Sequence, residues 1–174
     1  MHVFLTGEIQ VGKTTIIKRW LDATGAAADG FKTYWQPAED GGTDLYIHPF
    51  GTPIVTELNF RAAHRTDGQR IVFEEAFERA AATFLYDCGK KDIIIMDELG
   101  FMESQAPAFQ RAVMDIMDRG HPILGVIKPR HIPFLDAIRA RGDVETLDVT
   151  RENREDVLRE LIRRYVTTGR LSTR

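Results

Sequence analysis

A single cysteine, Cys88, in 174 residues rules out an internal disulfide framework and a cysteine-rich zinc module. It reads as a small packing residue and fits a reducing, cytoplasmic setting. Long apolar runs are missing as well. Stretches such as Ile93-Ile94-Ile95-Met96 fall far short of the roughly 20 residues that cross a bilayer. The apolar opening Met1-His2-Val3-Phe4-Leu5 is interrupted by Gly7, Glu8, Gln10 and Lys13, so it reads as a core strand and no membrane partner is expected. Charge of one sign is scarce too: the formal net charge of −3 gives no basic field that would call for nucleic acid. Tyr34, Trp35 and Tyr46 lack the interleaved basic residues of a base-stacking surface, and read as packing of a ribbon or as a surface for an unknown protein partner. His48, His64, His121 and His131 share no metal-ligand spacing and read as surface or loop residues. There are no repeats and no low-complexity segments.

The 43% hydrophobic content supplies one continuous core at this length, so residues 1–174 are expected to form a single domain. Val3 to Thr6 is a short strand, and Ile16, Ile17, Trp20 and Leu21 recur at helical spacing behind a glycine-bounded loop. Gly30 opens an extended segment through Trp35. Leu45-Tyr46-Ile47 and Ile54-Val55, set among turn residues, suggest further short strands in a small antiparallel ribbon. Asn59 to Gln69 is polar without clean periodicity and reads as a loop or lid. Phe73 to Leu85 has one apolar helical face.

Asp92 to Asp97 is apolar throughout its interior, as a parallel strand covered on both faces must be. Pro107 opens a helix that ends at Gly120, Ile123 to Ile127 is another strand, and Ile132 to Arg141 a short helix. Val144 to Val149 is the last strand, Thr150 the expected N-cap of a final helix, and Thr167 to Arg174 a frayed polar tail. Strands alternating with helices give an α/β fold, a mostly parallel sheet flanked by helices in three layers.

Gly7-Glu8-Ile9-Gln10-Val11-Gly12-Lys13-Thr14 fits G-x-x-x-x-G-K-[ST] in full, between a strand and a helix start. The glycines let successive backbone N–H groups turn toward phosphates, and the helix N-terminus adds its positive end. Lys13 is placed to reach the outer phosphates and the Thr14 hydroxyl to hold Mg2+. Thr15 either bonds a phosphate or caps the turn. At the end of the apolar strand stand two carboxylates, Asp97 and Glu98, where a P-loop fold needs a second metal-binding motif. Asp97 would hold magnesium, and Glu98 would orient or deprotonate the water that attacks the terminal phosphoryl group. Glu103, shortly after, is either a structural cap or an active-site acid.

These motifs resemble the thermophile-type nucleoside-triphosphatase family, which also includes the cancer-related nucleoside triphosphatase. The resemblance rests on Thr6-Gly7-Glu8 with Val11 to Thr15, Gly30-Phe31, Ile94 to Gly100 with Met102-Glu103, and Val149-Thr150 with Asn153-Arg154. It implies a RecA-like sheet with one strand between the phosphate-loop strand and the Asp97 strand. It also implies magnesium-dependent hydrolysis of ATP, GTP and other nucleoside triphosphates to diphosphate and phosphate, with loose base selectivity. Lys13, Thr14, Asp97 and Glu98 carry over by position; Arg154 carries over as a candidate beside the nucleotide, or else as part of a helix cap. The sequence departs from the family at Gln10, where glycine is usual, and across Arg61 to Ile71. Arg61 and Arg65 are candidates on their chemistry to offset charge on a transferring phosphoryl group, or are residues of a solvated loop. Two other functions use the same loop. A small-molecule or nucleotide kinase would close Asn59 to Gln69 over an acceptor, and a nucleotide-dependent switch would present the ribbon to a partner.

Overall fold

The computed structural model describes residues 1–54, 56–169 and 171. In chain order the elements are β1 (His2–Thr6), α1 (Lys13–Thr24), β2 (Ala28–Pro37), β3 (Thr43–Pro49), β4 (Phe60–Thr66), β5 (Gln69–Val72), α2 (Glu74–Ala80), β6 (Ile93–Leu99), α3 (Pro107–Asp118), β7 (Ile123–Ile127), α4 (Pro133–Arg139), β8 (Val144–Asp148) and α5 (Arg154–Thr168). One eight-stranded sheet has the order β5-β4-β3-β2-β6-β7-β1-β8. The ladders from β2 through β6, β7 and β1 to β8 are parallel, and β3, β4 and β5 add antiparallel strands to one edge. β7 separates β1 from β6, the spacing the resemblance implied.

Alternation along the central strands sorts side chains into two apolar layers. Val3, Leu5, Ile93, Ile95, Leu124 and Val126 meet Ile16, Ile17 and Trp20 of α1 and Leu158 and Leu161 of α5 on one face. Phe4, Ile94, Met96, Ile123 and Ile127 meet α2, α3 and α4 on the other, where Phe109 stands edge-on to both Phe31 and Phe77 at 5.4 Å. At Gly125 a Cβ would lie 2.5 Å from the Phe4 ring, so that strand crossing accepts no side chain.

The segment expected to be a loop or lid is sheet: β4 and β5 form a hairpin through Asp67 and Gly68, both at positive φ, 46° and 76°. Asp-Gly is the residue pair that a tight hairpin turn prefers. Its strand pattern is obscured because the β3–β4 register shifts between Leu45 and Tyr46, which puts consecutive residues Ala62 and Ala63 both inside. Two histidines read as surface residues are buried here. His64 Nδ1 lies 2.7 Å from Asp44 Oδ1 and its Nε2 3.0 Å from Asp40 Oδ2, while His48 Nε2 lies 3.1 Å from the Pro53 carbonyl. The ribbon is therefore a larger edge of the main sheet than expected.

Ile54 is exposed and outside any strand, and Val55 lies outside the described residues. Thr150 is not the N-cap of the last helix. Its Oγ1 accepts the N–H groups of Glu152 and Asn153 at 3.2 Å, making a turn before α5 starts at Arg154. Thr167 and Thr168 end α5 rather than fray, Gly169 caps it at φ 65°, and Leu171 is buried against the α1–α5 layer. Arg170 and residues 172–174 of the expected tail lie outside the described residues. Among the described residues no helix is long and apolar enough to cross a membrane.

Candidate functional site

The site gathers at the C-terminal edge of the parallel strands, where the residues after β1 and β7 meet those at the end of β6. Leaving β1, the chain must bend at once to enter α1. Gly7 makes that bend at φ 127°, pressed so closely on the β8–α5 corner that a Cβ would sit 2.3 Å from the Val149 carbonyl oxygen. Gly12 follows at φ 105°, immediately before the helix. Gln10, standing where glycine is usual in the family it resembles, adopts φ 64° all the same, a conformation that costs a residue with a Cβ about 1 kcal/mol.

No acidic residue and no side-chain cap occupies the start of α1, which leaves its first N–H groups for a ligand. Lys13 is buried and donates from Nζ to the carbonyls of Gly7 at 2.9 Å and Glu8 at 2.5 Å. Burial, with the nearby Lys128 ammonium, holds its pKa below the usual lysine value against the opposing pull of Glu98 and Asp97. The Thr14 hydroxyl donates to Asp97 Oδ1 at 3.2 Å, joining the loop to the end of β6. Asp97 is 4% exposed, and burial raises its carboxyl to about 6, with the Glu98 charge adding to the rise and the Thr14 bond opposing it. A buried carboxylate beside a hydroxyl, both oxygen donors at the phosphate loop, suits a hard cation that takes its other ligands from water and phosphate. Among the described residues no group of three His, Cys, Asp or Glu side chains forms a self-contained metal cage.

Glu98 projects from the same strand end. Its N–H donates to Thr33 Oγ1 at 3.3 Å, and its Oε1 pairs with Lys128 Nζ at 2.8 Å; the Asp97–Glu98 peptide bond is cis. Glu103 is 3% exposed and accepts the Gly100 N–H at 3.0 Å, which ties down the turn after β6, and it also lines the cleft. Burial pushes its carboxyl up to about 7, with the Glu98 charge adding and the Lys128 charge opposing.

These groups line a cleft of about 680 Å³ that contains Ile9, Gln10, Gly12, Lys13, Thr14 and Thr15 on one side and Asp97, Glu98, Glu103 and Lys128 on another. Its far wall is Trp35 of β2, with the Arg65 guanidinium stacked 4.9 Å over the indole, and Phe101, with Arg70 stacked at 5.0 Å. Glu8 is exposed and Val11 buried, neither of them on the cleft wall, though the Glu8 carbonyl holds Lys13. Arg154 lies with its side chain against Gly12, where an added Cβ would be 3.7 Å from its Cδ and Nη1, while Asn153 secures the turn by accepting the Thr150 N–H at 2.8 Å. Arg61 is turned away, bound to Asp44 at 2.7 Å; of the two candidate arginines only Arg65 reaches the cleft. Sequence reasoning missed Lys128 and Arg70. A charged residue closing a buried apolar run was the signal for Lys128, as it was for Asp97.

A phosphate loop after one parallel strand, an acidic pair near the end of another and a third strand between them define a P-loop nucleotide-binding protein. The sequence matches the family described as NTPase over residues 2–162, and the chain belongs to that family. It is 31% identical to the cancer-related nucleoside-triphosphatase homolog of Bos taurus, with 92% of this chain and 94% of that protein aligned. Among solved structures it is similar to THEP1 from the hyperthermophile Aquifex aeolicus, at 28% identity and a TM-score of 0.71 over 92% of this chain and 96% of that one. It is also similar to a human cancer-related nucleoside triphosphatase, at 27% identity and a TM-score of 0.69 over 96% and 98% of the two chains. The resemblance drawn from the motifs and the three-layer fold expected from the strand–helix alternation are both borne out.

Proposed function

We propose that residues 1–174 are a single nucleoside-triphosphatase domain that hydrolyses nucleoside 5′-triphosphates to diphosphate and phosphate with magnesium, accepting ATP, GTP and other bases. The observation that carries this reading is the Thr14–Asp97 contact, which brings the phosphate loop and the acidic strand end onto one cleft with Glu98. Relatives named as nucleoside triphosphatases support the reaction class. Loose base selectivity is supported by a cleft whose named polar groups gather where phosphates would lie.

In this reading Lys13 exchanges the Gly7 and Glu8 carbonyls for phosphate oxygens, and the backbone N–H groups of Gly7 to Thr15 surround the phosphates. Thr14 and Asp97 would hold Mg2+, which would supply charge neutralisation to the phosphates. Glu98 orients a water and takes its proton as the water oxygen bonds to the terminal phosphorus and the bridge to the diphosphate breaks. Arg154 steadies the loop from the α5 side, and Arg65 and Arg70 face the emerging phosphate across the cleft. The kinase alternative needed Asn59 to Gln69 as a closing lid, and that segment is paired sheet.

The test is phosphate release from ATP, GTP, CTP and UTP with magnesium and no acceptor, for the native chain and Glu98→Gln. Release across the bases, cut on the order of 10²-fold or more in the variant with nucleotide affinity kept, is expected. Turnover unchanged in Glu98→Gln removes that residue from the role, and binding without release redirects the search to an acceptor.

A further inference from the structure

We infer that Lys128 is a further catalytic residue, one that binds the terminal phosphoryl group and exchanges its Glu98 partner for a phosphate oxygen when a triphosphate enters. The inference rests on the reading of the cleft as a nucleoside-triphosphate site and adds to it the group that distinguishes a triphosphate from a diphosphate.

Three observations converge on Lys128. The first is topological. β7 lies between β1, which leads to the phosphate loop, and β6, which carries Asp97 and Glu98 near its end. Lys128 is the residue directly after β7, so its side chain emerges between the loop and the acids on the cleft wall. The second is anchoring. Its N–H donates to the Leu99 carbonyl at 2.9 Å, and its own carbonyl accepts the Arg130 N–H at 2.8 Å and a guanidinium N–H of Arg139. Its chain also runs beside Gly100, where a Cβ would stand 3.3 Å from the Lys128 Cδ. The ammonium is therefore delivered from a fixed base, as a phosphate-reading group requires.

The third observation is charge. Lys128 Nζ sits 2.8 Å from Glu98 Oε1, with the buried Glu103 carboxyl also within electrostatic reach. It is near enough to Lys13 to disfavour the charge there. Two ammonium groups directed into one cleft mark the place of a polyanion. Both are now held by oxygen stand-ins, Lys13 by loop carbonyls and Lys128 by a carboxylate. A terminal phosphoryl group offers Lys128 a more highly charged partner than Glu98 and releases that carboxylate to accept the proton of water. A diphosphate, lacking the terminal group, leaves the Lys128–Glu98 pair in place, so water is activated only when there is a bond to break.

The experiment measures calorimetric binding of Mg·ADP and of the magnesium complex of a β,γ-imido triphosphate to the native chain, Lys128→Met, Lys128→Arg and Lys13→Ala, alongside phosphate release. Lys128→Met is expected to lose on the order of 10-fold in imido-triphosphate affinity and 10²-fold in kcat while ADP affinity stays within about twofold. Lys128→Arg is expected to recover most of the triphosphate preference. An unchanged ratio of triphosphate to diphosphate affinity in Lys128→Met overturns the inference even if kcat falls, because Lys128 then serves only to position Glu98. Should the methionine variant fail a thermal-melting check of its fold, Lys128→Gln is read in its place against the same ratio. If the native chain binds neither nucleotide, or Lys13→Ala binds both normally, the nucleotide-site reading itself fails; normal behaviour of both with an unchanged Lys128→Met ratio sinks the Lys128 role alone.

Discussion

Glu103→Gln should make the protein more stable at alkaline pH while changing little in acid. Burial raises the Glu103 carboxyl from 4.5 to about 7. The folded chain therefore holds a proton there that the unfolded chain releases, so between pH 4.5 and 7 the folded state binds more protons and stability falls as pH rises. A shift of this size corresponds to about 3 kcal/mol of destabilisation once the pH is above 7, and to less than about 1 kcal/mol at pH 5. Glutamine keeps an acceptor for the Gly100 N–H, 3.0 Å from Glu103 Oε2 in the native chain, and cannot ionise. Urea unfolding of both chains in EDTA without nucleotide, at pH 5 and pH 8, isolates the effect, because other titrating groups are common to both. The variant should gain on the order of 2 kcal/mol over the native chain between the two pH values, a midpoint difference of about 1 M urea. A stability difference independent of pH would refute the buried, near-neutral carboxyl.

Gly7→Ala places a Cβ 2.3 Å from the Val149 carbonyl oxygen at a backbone angle suited to glycine; it should cost roughly 2–4 kcal/mol in thermal unfolding and abolish nucleotide binding. An alanine variant that still binds would show the loop free of that corner. Asp44→Ala removes the carboxylate that joins His64 at 2.7 Å and Arg61 at 2.7 Å, leaving a buried imidazole with one partner fewer. About 2–3 kcal/mol of stability should be lost, with faster amide hydrogen exchange in β4 and β5 than in β1 or β7. Uniform exchange across the sheet would contradict a local role.

The parallel half of the fold was legible because its strands carry two coincident signals, uninterrupted apolar runs and functional residues at their ends. Asp92 to Asp97 needs cover on both faces, and only an α/β sheet supplies it. The antiparallel half gave weaker signals. In β4 the run Phe60-Arg61-Ala62-Ala63-His64-Arg65 breaks alternation at a bulge and buries a histidine between Asp40 and Asp44, and neither pairing is visible without the partner strand. The Asp67-Gly68 pair is the local hairpin signal in that stretch. At the site, Lys13, Thr14, Asp97 and Glu98 followed from motif spacing, whereas Lys128 and Arg70 come from segments without a motif and reach the cleft only through strand order. Thr150 misled because a turn residue and a helix cap share the same chemistry, and the helix begins only after that turn closes.

β1 is flanked in the sheet by β7 on one side and β8 on the other, both translated well after it. The phosphate loop that follows it is pressed at Gly7 against the Val149 carbonyl and runs at Gly12 beside the side chain of Arg154. During synthesis this loop leaves the ribosome before the surfaces that give it shape, which do not exist until β8 and the start of α5 have been translated. The loop's sequence is thus complete long before the surfaces that shape it, and its folded form waits on β8 and the start of α5.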